Sequence, residues 1–215
     1  MLLNDNMSSI DCIDSQGDTP LHWAVLLDHP KTVRFLLDNR CEKSPSNEYQ
    51  NSPLMVACLN SNLTIMKILL DSADNQDELK DMVNHRNRRS MSPLHIACLL
   101  GDIKMSETLL SCSAEFIKYD QKGFLPLHYA IVKDHEPLIR YFIEVHKIKI
   151  FDPLYFCMTH TLLTLAIQNG SYNTVKMLVL DYHADVTEKD KLGFTYLHIA
   201  AVSGHVNIFL FFLSK

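Results

Sequence analysis

The chain has 215 residues, a formal charge of −5 and 47% hydrophobic residues, enough apolar material for a long core. A balance of 20 Lys and Arg against 25 Asp and Glu implies no strongly basic face, which argues against sequence-independent nucleic-acid binding. The longest strongly apolar run, Val206 to Leu213 interrupted by Asn207, is too short to span a bilayer, so no direct membrane insertion by this segment is expected.

Taken in chain order, Leu2 and Leu3 fall where the tail of a preceding helix would lie, and the first complete unit opens with Thr19-Pro20-Leu21-His22-Trp23-Ala24. The phrase returns as Ser52-Pro53-Leu54-Met55-Val56-Ala57, Ser92-Pro93-Leu94-His95-Ile96-Ala97, Leu125-Pro126-Leu127-His128-Tyr129-Ala130, Thr161-Leu162-Leu163-Thr164-Leu165-Ala166 and Thr195-Tyr196-Leu197-His198-Ile199-Ala200. Successive starts lie 33, 40, 33, 36 and 34 residues apart. Thr or Ser supplies an oxygen for the open N–H groups of a first turn, and Pro fits the first helical position, so each phrase predicts a helix start. Downstream, Val33, Leu36 and Leu37, Met66, Leu69 and Leu70, Ile139, Phe142 and Ile143, and their counterparts repeat at i, i+3, i+4, which predicts a second amphipathic helix. Ser106 interrupts that series in the third unit.

A period near 33 carrying T-P-L-H-x-A resembles the ankyrin repeat family. The resemblance implies an all-α solenoid of stacked helix-turn-helix units with short β-turn fingers, with repeats near 14–46, 47–84, 87–119, 120–155, 156–189 and 190–215. His22, His95, His128 and His198 then act as structural hydrogen-bonding residues tying one turn to the next. Met55 and Thr164 replace that His, so the two joints they occupy are expected to be weaker. The family's fingers carry Asp and Gly ahead of the phrase, as in Asp14 and Gly17, Asp120 and Gly123, and Asp190 and Gly193. Gln50, Ser90 and Thr159 stand at the Gly place, so those fingers are expected to be distorted or more mobile.

Two longer spacings locate insertions. Asp71 to Arg89 is acidic and then basic and reads as a solvated loop. Phe151 to Met158 is apolar and aromatic and reads as a segment packed back on the stack or a degenerate finger. Neither end has the polar outer face of a capping repeat, which predicts a segment of a longer array.

No cofactor, metal site or catalytic set is expected. The six cysteines form no CxxC pair, and none of the eleven histidines has zinc-finger or helix-face metal spacing. The cysteines read as small buried hydrophobes of a cytoplasmic protein. Four histidines stand in the phrase and His29, His135 and His205 share the place after the usual helix-linking Gly, which leaves His85, His146, His160 and His183 unassigned. The resemblance implies a non-catalytic interaction scaffold gripping a protein partner, or another domain of the same polypeptide, on finger tips and exposed first-helix positions. Carried onto this chain, those residues are Tyr49, Arg88, Arg89, Met91, Leu99, Leu100, Lys122, Phe124, Lys191, Leu192 and Phe194. Arg and aromatic residues are strong interface anchors, and the cations favour an acidic partner segment. The stretch from Ser90 to Phe124 is similar to the arrays of ankyrin-rich TRP cation channels, which implies as an alternative the cytosolic array of a membrane protein. Related phrases occur in ankyrin arrays of cilium-associated scaffolds and protein acyltransferases.

Overall fold

The structure, a computed structural model, describes residues 9–148, 152, 155, 161–187 and 193–214. Thirteen α-helices lie among them: α1 (Pro20–Leu26), α2 (Pro30–Asp38), α3 (Pro53–Leu59), α4 (Leu63–Asp71), α5 (Gln76–Asn84), α6 (Pro93–Leu100), α7 (Ile103–Ser111), α8 (Pro126–Val132), α9 (Glu136–Val145), α10 (Leu162–Gln168), α11 (Tyr172–Leu180), α12 (Tyr196–Ser203) and α13 (Val206–Leu213). They divide between two compact units, Met1–Ala97 with Lys104–Phe116, and Cys98–Ile103 with Ile117–Lys215.

Within the first unit α1 pairs with α2 and α3 with α4, and the pairs stack α1 on α3 and α2 on α4. Within the second, α8 pairs with α9, α10 with α11 and α12 with α13, with α8 and α12 on either side of α10 and α9 and α13 on either side of α11. Helices this short are marginal alone in water, so the stacking itself holds them. The residue after the Ala of the first five phrases records this: Val25, Cys58, Cys98, Ile131 and Ile167 are all 0% exposed. Ser106 is buried as well, beside the fully buried Met105. No disulfide joins the five described cysteines, and burial pushes the Cys41 thiol up to about 11.

One oxygen organises each described finger. Asp14 Oδ1 accepts from Gln16 N (2.8 Å) and Asp18 N (2.9 Å), and Asp120 Oδ1 accepts from Lys122 N and Phe124 N (both 2.8 Å). Asn47 Oδ1 does the same for Tyr49 N and Asn51 N (both 3.0 Å), as does Asn87 Oδ1 for Arg89 N and Met91 N (3.0 and 3.1 Å). The expected distortion of the second and third fingers is therefore corrected. Gln50 and Ser90 adopt φ of 58°, the left-handed conformation that Gly17 and Gly123 adopt at 75° and 74°. A side chain there costs about 1 kcal/mol, and the two amide-held turns offset it.

The choice of Asp or Asn follows from its second atom. Asp14 Oδ2 accepts from Trp23 Nε1 (2.9 Å) and Asp120 Oδ2 from Tyr129 OH (2.6 Å). Where the phrase offers Val56 or Ile96 instead, an amide replaces the carboxylate and donates backward, Asn47 Nδ2 to Asp18 Oδ1 (2.9 Å) and Asn87 Nδ2 to Asn51 Oδ1 (3.0 Å). Backbone bonds join the same fingers, Glu48 N to Gln16 O and Arg88 N to Tyr49 O, both 3.0 Å.

The phrase histidines close the neighbouring joint. His22 Nε2 donates to Asn51 O (3.0 Å) and His128 Nε2 to Tyr155 O (2.6 Å). A carbonyl only accepts, so Nε2 carries the proton and the bare Nδ1 accepts from the backbone N of Thr19 (3.2 Å) or Leu125 (3.0 Å). Ser92 N and Thr195 N donate to Nδ1 of His95 and His198 in the same way. Met55 and Thr164 cannot bridge like this, although Ser52 and Thr161 still cap their N–H groups. Behind Met55 another histidine supplies the bond: His85 Nε2 donates to Gln50 O at 2.9 Å.

A left-handed residue also ends each first helix: Asp28, Ser61, Gly101, Asp134, Gly170 or Gly204. At four of these sites a side chain of the next repeat meets it. The His135 ring lies over Gly101 and the His205 ring over Gly170, where an added Cβ would come within 2.5 and 2.6 Å. Both rings donate to the preceding repeat, to Leu99 O (3.1 Å) and Gln168 O (3.2 Å). Elsewhere a carboxylate receives donors instead. Asp28 Oδ1 accepts from Asn62 Nδ2 (2.6 Å), and Asp134 accepts from the N and Oγ1 of Thr174 and the N and Nδ2 of Asn173 within 3.1 Å.

The Asp71 to Arg89 insertion is not a loop. It forms α5, capped by Asn75 Oδ1 on Glu78 N, with Met82 and Val83 buried. Lys43 pins its start by ion pairs to Asp74 (2.7 Å) and Glu78 (3.1 Å), and Asn84 bonds the Ser113 carbonyl and the Glu115 N–H at its end. Of the second insertion, Asp152 and Tyr155 are described, and Tyr155 is buried. The rest, with the finger at Cys157, Met158, Thr159 and His160, lies outside the described residues.

Two measurements check this reading. Asn47→Asp removes the backward donor and sets a second carboxylate against Asp18, a loss of about 1 kcal/mol that calorimetry should read as a fall in Tm of roughly 2–4 °C. Burial holds His22 and His128 below the ordinary histidine range, against the opposing pull of the carbonyls and of Asp18 and Asp120. An unfolded chain takes up these protons near pH ~6.5 while the folded one resists, so stability is complete above that pH and declines below it. A Tm series from pH ~7.5 to ~5.5 should fall, and His128→Gln should flatten part of that slope.

Candidate partner-binding surface

Three finger tips of the first unit and one of the second are described. Tyr49 is 58% exposed, and Arg88, Arg89 and Lys122 are exposed as well. Met91 is corrected: it is only 7% exposed, because its N–H is drawn in by Asn87 and the chain turns there into α6. Phe124 is half-buried, its ring edge-on to His128 (5.7 Å) and Tyr129 (5.5 Å). Phe194 repeats the contact on His198 at 5.5 Å and keeps more of its ring exposed. Leu100 is exposed and Leu99 half-buried, while Lys191 and Leu192 lie outside the described residues.

The sequence reading missed a cleft in the first unit. It encloses about 150 Å³ between α1 and α3, walled by Trp23, Leu26, Val56 and Leu59 and edged by Asp18, Asn47 and Asn60. Trp23, Leu26 and Leu59 are each more than two-fifths exposed. Trp23 is held in place by its bond to Asp14, and Asn60 Nδ2 donates to Leu26 O (3.0 Å) where the two helices end. The clue lay in the variable position of the phrase, where Trp23 and Tyr129 stand against aliphatic residues in the other copies.

A second concavity, in the other unit, is built of paired charges. Arg140 Nε meets Glu136 (2.7 Å), its Nη2 meets Asp181, and its guanidinium lies 6.0 Å from the Tyr182 ring, whose hydroxyl bonds Glu144. The two carboxylates hold the Arg140 proton far above the ordinary range. These bonds join α9 to α11 and its C-terminal turn, and they leave Arg140 committed to the fold. Among the described residues no group of three or more His, Cys, Asp or Glu is placed to hold a metal ion, and no helix is long and apolar enough to cross a membrane.

A family model of ankyrin repeats matches residues 1–81, 75–153 and 152–215. The chain belongs to the ankyrin repeat family. Proteins of this family are generally interaction modules. Relatives include an ankyrin repeat protein of fowlpox virus, 31% identical over 129 residues, 60% of this chain and 85% of that protein. The Drosophila melanogaster transient receptor potential cation channel subfamily A member 1 is 26% identical over 96% of this chain, which spans only 17% of the channel. A palmitoyltransferase of Lachancea kluyveri is 29% identical over 59% of the chain and 17% of the enzyme. The ankyrin array thus spans less than a fifth of both larger relatives.

Proposed function

We propose that this array is a non-catalytic scaffold that grips a protein partner with its finger tips and the exposed ends of its first helices. The observation that carries the reading is the set of rigid turns, each organised by an Asp or Asn oxygen, that holds Tyr49, Arg89 and Lys122 outward. Turns already fixed lose little backbone freedom on binding, and Tyr and Arg are residue types that dominate interface energy. Arg88, Arg89 and Lys122 favour an acidic stretch in that partner, with Leu100, Phe124 and Phe194 as apolar contacts. Lys191 and Leu192 belong to the proposed set by their place in the repeat and lie outside the described residues.

The alternative reading, a cytosolic array of a cation channel, is supported by the alignment to the Drosophila channel along 96% of this chain. On that reading the parent polypeptide carries six spanning segments. Four with a Cys-rich acyltransferase motif would indicate the enzyme, and none a scaffold without a membrane domain. Sequencing the complete transcript decides among the three.

The surface itself is tested by affinity capture with quantitative mass spectrometry, comparing the wild-type array with a Tyr49→Ala, Arg89→Ala, Lys122→Ala variant. The exposed positions predict a Tm within about 2 °C of wild type, together with loss of most captured partner. Undiminished capture would place the grip elsewhere.

A further inference from the structure

The cleft of the first unit differs in charge from the tips beside it. Residues 9–29 and 46–62, the fingers and first helices that frame it, carry Asp11, Asp14, Asp18, Asp28 and Glu48 and no Lys or Arg. The four aspartates take neutral donors: Glu42 N for Asp11, Trp23 Nε1 for Asp14, Asn47 Nδ2 for Asp18 and Asn62 Nδ2 for Asp28. Among the described residues none of these five carboxylates meets a Lys or Arg, so the field in this layer is left negative. At the cleft edge Asp18 uses Oδ1 for Asn47, and neither Asp18 Oδ2 nor Asn60 Oδ1 receives a protein donor among the described residues.

We propose that the cleft is an anchor site for an arginine side chain of the partner protein. The inference rests on the scaffold reading and adds a second recognition element to it. Arginine matches the walls: its methylenes lie on Val56 and the neighbouring Leu26 and Leu59, its planar head stacks on the exposed Trp23 ring, and its N–H fork reaches Asp18. A volume of about 150 Å³ holds one such side chain and excludes a folded element. An acidic side chain would face the carboxylate of Asp18, and an aliphatic one would leave that carboxylate without a charged partner. Since Arg86, Arg88 and Arg89 come in the next finger of the same unit, charge changes sign along it. A partner segment with arginine at one end and acidic residues at the other is then held in one direction.

Trp23 is the only tryptophan of the chain, so its fluorescence reports on this cleft alone. The probes are acetyl-leucyl-arginine amide and its citrulline counterpart, which keeps the shape but replaces one charged N–H arm of the fork by a neutral carbonyl oxygen. In a titration of the full chain at physiological salt, the arginine probe should give a saturable change and citrulline one at least about tenfold weaker. Asp18→Asn should lower the arginine response to the citrulline level with an unaltered circular dichroism spectrum. If that variant fails to fold, the two probes on the wild type still decide. Equal responses, or a linear change without saturation, would overturn the proposal. Loss of arginine preference with finger-tip capture intact removes this inference alone, whereas undiminished capture by the finger-tip variant removes the grip assigned to the tips.

Discussion

Each joint between repeats depends on a side chain of one repeat satisfying a backbone group of its neighbour. Helical pairs of seven to ten residues per helix leave carbonyls and N–H groups open at both ends, and burying these unpaired would cost more than any one pair could return. His22 and His85 close such groups in the first unit, and His128, His135 and His205 in the second. The apolar stacking behind them is strong but lacks direction. These bonds set register, because each ring reaches its carbonyl from only one position.

The same requirement accounts for the histidine content. A chain rich in histidine invites a metal or catalytic reading, yet His22 and His128 show their Nδ1 occupied by their own turn and their Nε2 by the next. An imidazole so engaged has no lone pair for a metal. His135 and His205 perform the related task at the other end of the first helix, donating to a carbonyl while covering a glycine.

The periodic features were legible from the residues: the phrase predicted the helix starts, and the i, i+3, i+4 series predicted their partners. What escaped was substitution of one chemistry by another that fills the same need. A search for Asp followed by Gly passes over Asn47 with Gln50 and Asn87 with Ser90, because the amide oxygen serves as well as a carboxylate and the left-handed turn tolerates another side chain. The acidic run at Asp71 to Asp81 masked α5, whose burial rests on little more than Met82 and Val83. His85 went unassigned because its partner, the Gln50 carbonyl, is backbone and leaves no mark in the sequence. For the candidate surface, composition separated polar from apolar tips but could not foresee that Met91 turns inward, nor that Trp23 and Leu59 open a cleft.

The glycines at 101 and 170 carry an evolutionary corollary. Each is dictated by an imidazole that stands more than thirty residues downstream, while the equivalent sites at Asp28 and Asp134 answer to amide and hydroxyl neighbours. Such sites change in pairs: an ancestor could acquire the ring only after, or together with, the glycine beneath it. Duplicated modules of this kind are consequently not interchangeable beads. Shuffling them by recombination would set rings against methyl groups, so the present order is itself inherited information.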